Sequence, residues 1–132
     1  MTIYVCLDDN DGMLFNKRRQ SRDVRILEDM QTQLPGVLTI DPFSEKLIGA
    51  AGIPYVLAGE TLPEDAHFFL ENRPASEVAA QADQVVLYRW NRVYPADVHW
   101  DVDLSAEGFC LQGTSEFPGK SHETITKEVY TR

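Results

Sequence analysis

The chain of 132 residues carries 21 Asp+Glu against 12 Lys+Arg, a formal net charge of −9. That length suits a single α/β domain over residues 1–132 with a real core, and 43% hydrophobic with 25% charged residues excludes disordered and fibrous classes. No apolar run reaches the ~18 residues of a membrane helix and no leader is expected, while the acidic balance argues against general duplex nucleic-acid binding.

Two cysteines, Cys6 and Cys110, lie far apart and outside any CxxC pair, so we expect two reduced, buried thiols in a cytoplasmic protein. Thr2–Leu7 is short, apolar and β-rich and predicts a buried strand, closed by the turn run Asp8-Asp9-Asn10-Asp11-Gly12. Met13–Arg22 reads as a loop. Ser21 is the expected helix N-cap, with Asp23 in the first turn, where the helix dipole favours an acid. Ile26, Leu27, Met30 and Leu34 then recur at helical spacing until Pro35-Gly36.

Val37–Ile40, Tyr55–Ala58 and Phe68–Leu70 read as strands, and Phe43–Ala51 and Pro74–Ala82 as short helices. Gln84–Trp90 has the pattern of a central strand. Phe109–Ser115 and Thr124–Tyr130 fit a closing antiparallel pair, although Ile125 and Val129 also stand at helical spacing. The sum predicts a central mixed, mostly parallel sheet flanked by helices, with a C-terminal antiparallel hairpin.

Charge is unevenly spread. Five bases and one acid lie between Lys17 and Arg25, and a second basic run, Arg89-Trp90-Asn91-Arg92, closes the best strand. Isolated charges are usually solvated faces, but clusters following strand ends fall where α/β ligand sites form. Phosphate loops of the GxGxxG and GxxxxGK[ST] types, the GxSxG elbow and HExxH are all absent. His67, His99 and His122 stand at no metal-ligand spacing, so neither metal nor cofactor is expected.

The order of elements resembles a shortened dihydrofolate reductase. In that family an acidic turn and glycine after the first strand lead through a loop to a helix with a pterin-binding acid; Asp11-Gly12 and Asn16–Asp23 (NKRRQSRD) fit, with Asp23 as the acid. Ala82–His99 resembles the family's Ala-Asp strand and its following loop with Asp97 and His99, and Ser115-Glu116-Phe117 with Ser121-His122 resembles its closing hairpin. The family's cofactor-binding Gly-Gly corresponds to Glu71-Asn72, its Gly-Arg to Asp41-Pro42, and its substrate-covering tryptophan to Arg18 or Arg19. Side chains and acids there imply a lost NADPH site. The stretches GMLFNKRRQSRD, LYRWNRVYPAD and FPGKSHETITKE are also similar to small bacterial proteins, some labelled ribonuclease Z, although the HxHxDH zinc cluster of that enzyme is missing.

The resemblance implies that Met13–Arg22, Asn91–Val98 and Glu116–Glu123 converge, with Asp97 near Ser121. The expected ligand-binding residues are Asn16, Arg18, Arg19, Gln20, Tyr88, Arg89, Asn91, Arg92, Asp97 and Ser121. Arginines recognise phosphate or carboxylate in bidentate fashion, which suits a small anionic, nucleotide- or pterin-like ligand. The alternatives are a metal-independent ribonuclease using His122, Glu123 and Asp23 as catalytic residues, and an interaction module docking an acidic partner. Trp90 is a candidate for base stacking as well as for packing.

Overall fold

The computed structural model describes residues 1–132. In chain order it forms β1 (Thr2–Leu7), β2 (Gly12–Phe15), β3 (Arg18–Arg19), α1 (Val24–Thr32), β4 (Leu38–Ile40) and a 3₁₀ turn (Pro42–Ser44) that runs into α2 (Glu45–Ala50). There follow β5 (Tyr55–Leu57), β6 (His67–Leu70), α3 (Ala75–Ala79), β7 (Gln84–Arg89), β8 (Val98–His99), β9 (Cys110–Phe117) and β10 (Ile125–Thr131).

Seven strands make the main sheet in the order β5-β4-β6-β1-β7-β10-β9. β1 runs parallel to β6 and β7, and β4 runs parallel to β5 and β6. β10 is antiparallel to both β7 and β9. The mixed, mostly parallel sheet with its terminal hairpin is thus present, and the ambiguous C-terminal segment is a strand. The cause is pairing: Lys127 and Val129 lie opposite Tyr88 and Val86, so the segment completes the ladder of an interior strand.

Side-chain alternation splits the core in two. Ile3, Val5 and Leu7 of β1 join Val85 and Leu87 of β7 on the face covered by Ala75 and Val78 of α3. Tyr4 joins Val86 and Tyr88 on the opposite face, covered by Ile26, Leu27 and Met30 of α1 and Ile48 of α2. Ile26, Met30 and Ile48 are fully buried, and truncating one such side chain to Ala costs about 2–5 kcal/mol.

The route of the chain positions the site. β1 leads through α1 on one face towards β4, whereas β6 leads through α3 on the other face to β7. Neighbouring β1 and β6 therefore send the chain to opposite faces, opening a crevice at their carboxyl ends where ligands of open α/β sheets bind.

Three local expectations are corrected. Met13–Arg22 is no plain loop: β2 and β3 form a hairpin, with Leu14 opposite Arg19 and Phe15 opposite Arg18. Asn16 and Lys17 turn its tip at φ 52° and 59°, the left-handed pair for which Asn-Gly is the usual sequence. The N-cap of α1 is Asp23, which accepts from the Arg25 N–H at 2.9 Å, and not Ser21. Both cysteines are free, but Cys110 is exposed on the edge strand β9.

Candidate functional site

Two buried carboxylates assemble the loops around the crevice. Asp8, at the end of β1, accepts from the Asn10 and Gly12 N–H groups through Oδ1 and from Gln20 Nε2 and the Tyr94 N–H through Oδ2. Burial alone would raise its pKa; the hydrogen bonds from Tyr94, Gly12, Asn10 and Gln20 outweigh that and lower it. Gly12 is required by this packing, since a Cβ there would meet Gln20 Nε2 at 2.5 Å and Ala96 Cβ at 2.7 Å.

Asp23 does the same for the C-terminal hairpin. Its oxygens accept from the Lys120 N–H (2.9 and 3.0 Å), the Ser121 N–H (2.9 Å) and His122 Nδ1 (2.9 Å), besides Arg25. Burial opposes its charge, but the Lys120 and His122 hydrogen bonds, then those of Arg25 and Ser121, bring its pKa down to about 2. His122 Nε2 meets Tyr94 Oη at 2.9 Å and Ser21 Oγ at 3.1 Å, and its ring stacks on Trp90 at 4.7 Å.

His122 therefore ties Ser21, Tyr94 and Asp23 together, and the three expected loops do converge. It is also buried with both nitrogens engaged, so it presents no open acid or base to a substrate. Asp23 has both oxygens occupied, and Glu123 is exposed on the loop beside it. Trp90 is buried against His122, which removes it as a stacking platform.

The expected arginine pocket is divided by the sheet. Arg19 forms a bidentate pair with Glu71 at 2.6 and 2.7 Å, Ser44 Oγ donates to the same carboxylate at 2.6 Å, and the guanidinium lies over Phe43. Arg89 lies on the opposite face, level with Leu7, paired with Asp11 and Glu128. Tyr88, one residue earlier, points into the α1 core and donates to Asp29 at 2.7 Å. Burial first, and then Asp29, pushes its phenol far up.

Asn91 stitches the loop to Thr124 and Thr126, and Arg92 is exposed outside the crevice. Asp97 accepts from the Asn16 N–H at 3.0 Å and does not touch Ser121, whose N–H goes to Asp23. Gln20 donates to Asp8 and to the Pro95 carbonyl, which leaves its Oε1 as the one buried side-chain polar atom without a partner.

What remains is a narrow cleft and an open groove beside it. The cleft lies at the ends of β1 and β6, among Cys6, Ile26, Leu27, Leu47, Phe69 and Trp90, with Gln20 and Asp23 on its polar wall. Its free volume is about 20 Å³, room for one or two waters. The groove, about 650 Å³, is lined by Lys17, Arg18, Arg19, Ser21, Arg22, Phe43, Lys46 and Ser121. Of its cations only Arg19 is in an ion pair; Lys17, Arg18, Arg22 and Lys46 are exposed and unpaired.

Sequence reasoning missed Lys46 because it stands alone on α2, 24 residues beyond Arg22. It also missed Asp8, whose turn-like surroundings gave no sign of the loop it would hold. A cationic groove is present, lined from the β2–β3 hairpin, its link to α1, and α2.

These elements define an open α/β protein with a switch-point crevice and a cationic rim. No family model and no curated protein matches the chain. Among solved structures it is similar to the dihydrofolate reductase from Enterococcus faecalis complexed with NADP(H) and RAB-propyl, at a TM-score of 0.70 and 9% identity. The match covers 99% of this chain and 95% of that one. The fold is dihydrofolate reductase-like.

Proposed function

We propose that the protein binds a small anionic, nucleotide-like ligand in the groove at the mouth of the crevice. The observation that carries this reading is the gathering of four unpaired cations, Lys17, Arg18, Arg22 and Lys46, along one groove in a chain of net charge −9. Like charges held together repel, and an anionic ligand relieves that repulsion. The ligand is held by its phosphate or carboxylate, because Asp23 has no free oxygen for an amino-heterocycle.

A dinucleotide cofactor does not fit the residues at the neighbouring strand ends. Glu71 and Asp41 follow β6 and β4, each in a bidentate pair, with Arg19 and with Arg73. A pyrophosphate laid against those backbones would displace an arginine and face a carboxylate. Binding without hydride transfer is the reading this supports.

Thermal-shift titration tests it with inorganic pyrophosphate, mononucleotides, a pterin glutamate and NADPH. Pyrophosphate or a mononucleotide is expected to stabilise the protein by about 2–3 kcal/mol at a hundredfold excess over Kd, and the effect to vanish in Lys46→Glu with Arg22→Glu. NADPH should stabilise no more than pyrophosphate does. Stabilisation that survives the double charge reversal would move the site elsewhere.

A further inference from the structure

The groove's size, its spread of charge and one exposed aromatic narrow the ligand class further. We propose that its occupant is the phosphodiester backbone of a single-stranded nucleic acid, bound without sequence preference, with Phe15, across the hairpin from Arg18, as a stacking platform. This rests on reading the groove as an anion site.

The cations come from three separate elements: Lys17 and Arg18 on the hairpin, Arg22 on the link to α1, and Lys46 on α2. They line about 650 Å³ of open groove, a volume that takes several phosphate-sized groups and matches no single one. A strand of phosphates at regular spacing is the anion that uses all four positions at once.

Phe15 supplies the second observation. It is 47% exposed, and its cross-strand partner is Arg18, so both side chains leave the hairpin on the same face. An aromatic face beside a groove cation is the pairing that holds a base next to its own phosphate. Lys17 turns the hairpin tip at φ 59°, in the element that carries two of the four charges.

Base-edge reading has no place to occur. The adjoining cleft of about 20 Å³ admits no base, and the Asp23 carboxylate on its wall is fully hydrogen-bonded. Recognition by phosphate and stacking alone predicts tolerance of sequence. Net acidity and a groove with only four unpaired cations select single strands over a duplex, which needs a broad cationic face.

Fluorescence anisotropy with labelled ten-nucleotide oligo-U and oligo-dT tests the proposal, with the matching duplex, a mononucleotide and polyglutamate as competitors. With three to four phosphates contacted, the slope of log K against log salt is expected at about −2 to −3. Lys46→Gln should shallow that slope by about 0.7. Phe15→Ala should weaken binding about tenfold at an unchanged slope, and Phe15→Trp should restore it.

Mononucleotide affinity equal to that of the ten-mer overturns the proposal and leaves the small-ligand reading standing. Equal competition by polyglutamate or by duplex also overturns it, in favour of an acidic protein surface or of plain charge attraction. If neither the ten-mer nor any mononucleotide or pyrophosphate binds, both readings fail together.

Discussion

Asp23 joins sequence, packing and loop assembly in one side chain. Its carboxylate caps α1 through Arg25 and clamps a loop almost a hundred residues away through Lys120, Ser121 and His122. Because those donors favour the charged form, its folded pKa of about 2 lies below the ordinary carboxylate value. A depressed folded pKa contributes stability that is complete above the unfolded value near 4 and is lost as pH falls towards 2. The shift corresponds to about 2–3 kcal/mol. Urea melts between pH 6 and pH 2 should show that loss, and Asp23→Asn should remove most of the acid limb while lowering stability at pH 7 by about 2–3 kcal/mol. An acid limb unchanged in the variant would place the titrating group elsewhere, Asp8 first. The same residue marks a limit of local reading: Ser21 and Asp23 are both good N-cap types, and the groups that engage Ser21, His122 and Tyr94, lie far along the chain.

At the scale of elements, the β9–β10 connection is held down by its backbone. Gly119 sits so close to Asp23 that an added Cβ would meet Oδ2 and the His122 carbonyl, both at 2.6 Å. Gly119→Ala is therefore expected to cost about 1–3 kcal/mol and to loosen the loop, read as faster hydrogen exchange at Lys120 and Ser121 with the sheet amides of β1 and β7 unaffected. Equal loss of protection in the sheet would mean the connection and the core unfold as one unit. The elements themselves were mostly legible. β1 and β7 were apparent from apolar, β-branched runs, and α1 from the spacing of Ile26, Leu27 and Met30. The β2–β3 hairpin was hidden because Asn-Lys turns it without the glycine that announces such a turn. The division of the arginines was in principle readable, since a strand's period of two sets Tyr88 and Arg89 on opposite faces whatever the run of charge suggests. Lys46 was beyond reach, because only the crevice brings α2 alongside the hairpin.

For the molecule as a whole, the acidic balance and the cationic groove meet at the pair of Arg19 and Glu71. Arg19 lines both the closed cleft and the open groove, and Glu71, whose side chain is 9% exposed, holds it away from solvent anions. The pair thus lowers the charge of the groove while bolting α2, through Ser44, to the hairpin. Glu71→Gln and Arg19→Gln should consequently act with opposite sign on binding and the same sign on stability. Glu71→Gln releases a guanidinium into the groove; one added unit charge at weak screening contributes about 1 kcal/mol, so pyrophosphate affinity should rise about fivefold in calorimetry. Stability should fall by about 1–3 kcal/mol, since Ser44 and Arg19 lose a charged acceptor. Arg19→Gln leaves the Glu71 carboxylate partly buried without its cation, so it should destabilise at least as much and weaken pyrophosphate binding. Equal affinity in both variants would make the pair a structural bolt with no part in binding, and would assign the groove's affinity to Lys17, Arg18, Arg22 and Lys46 alone.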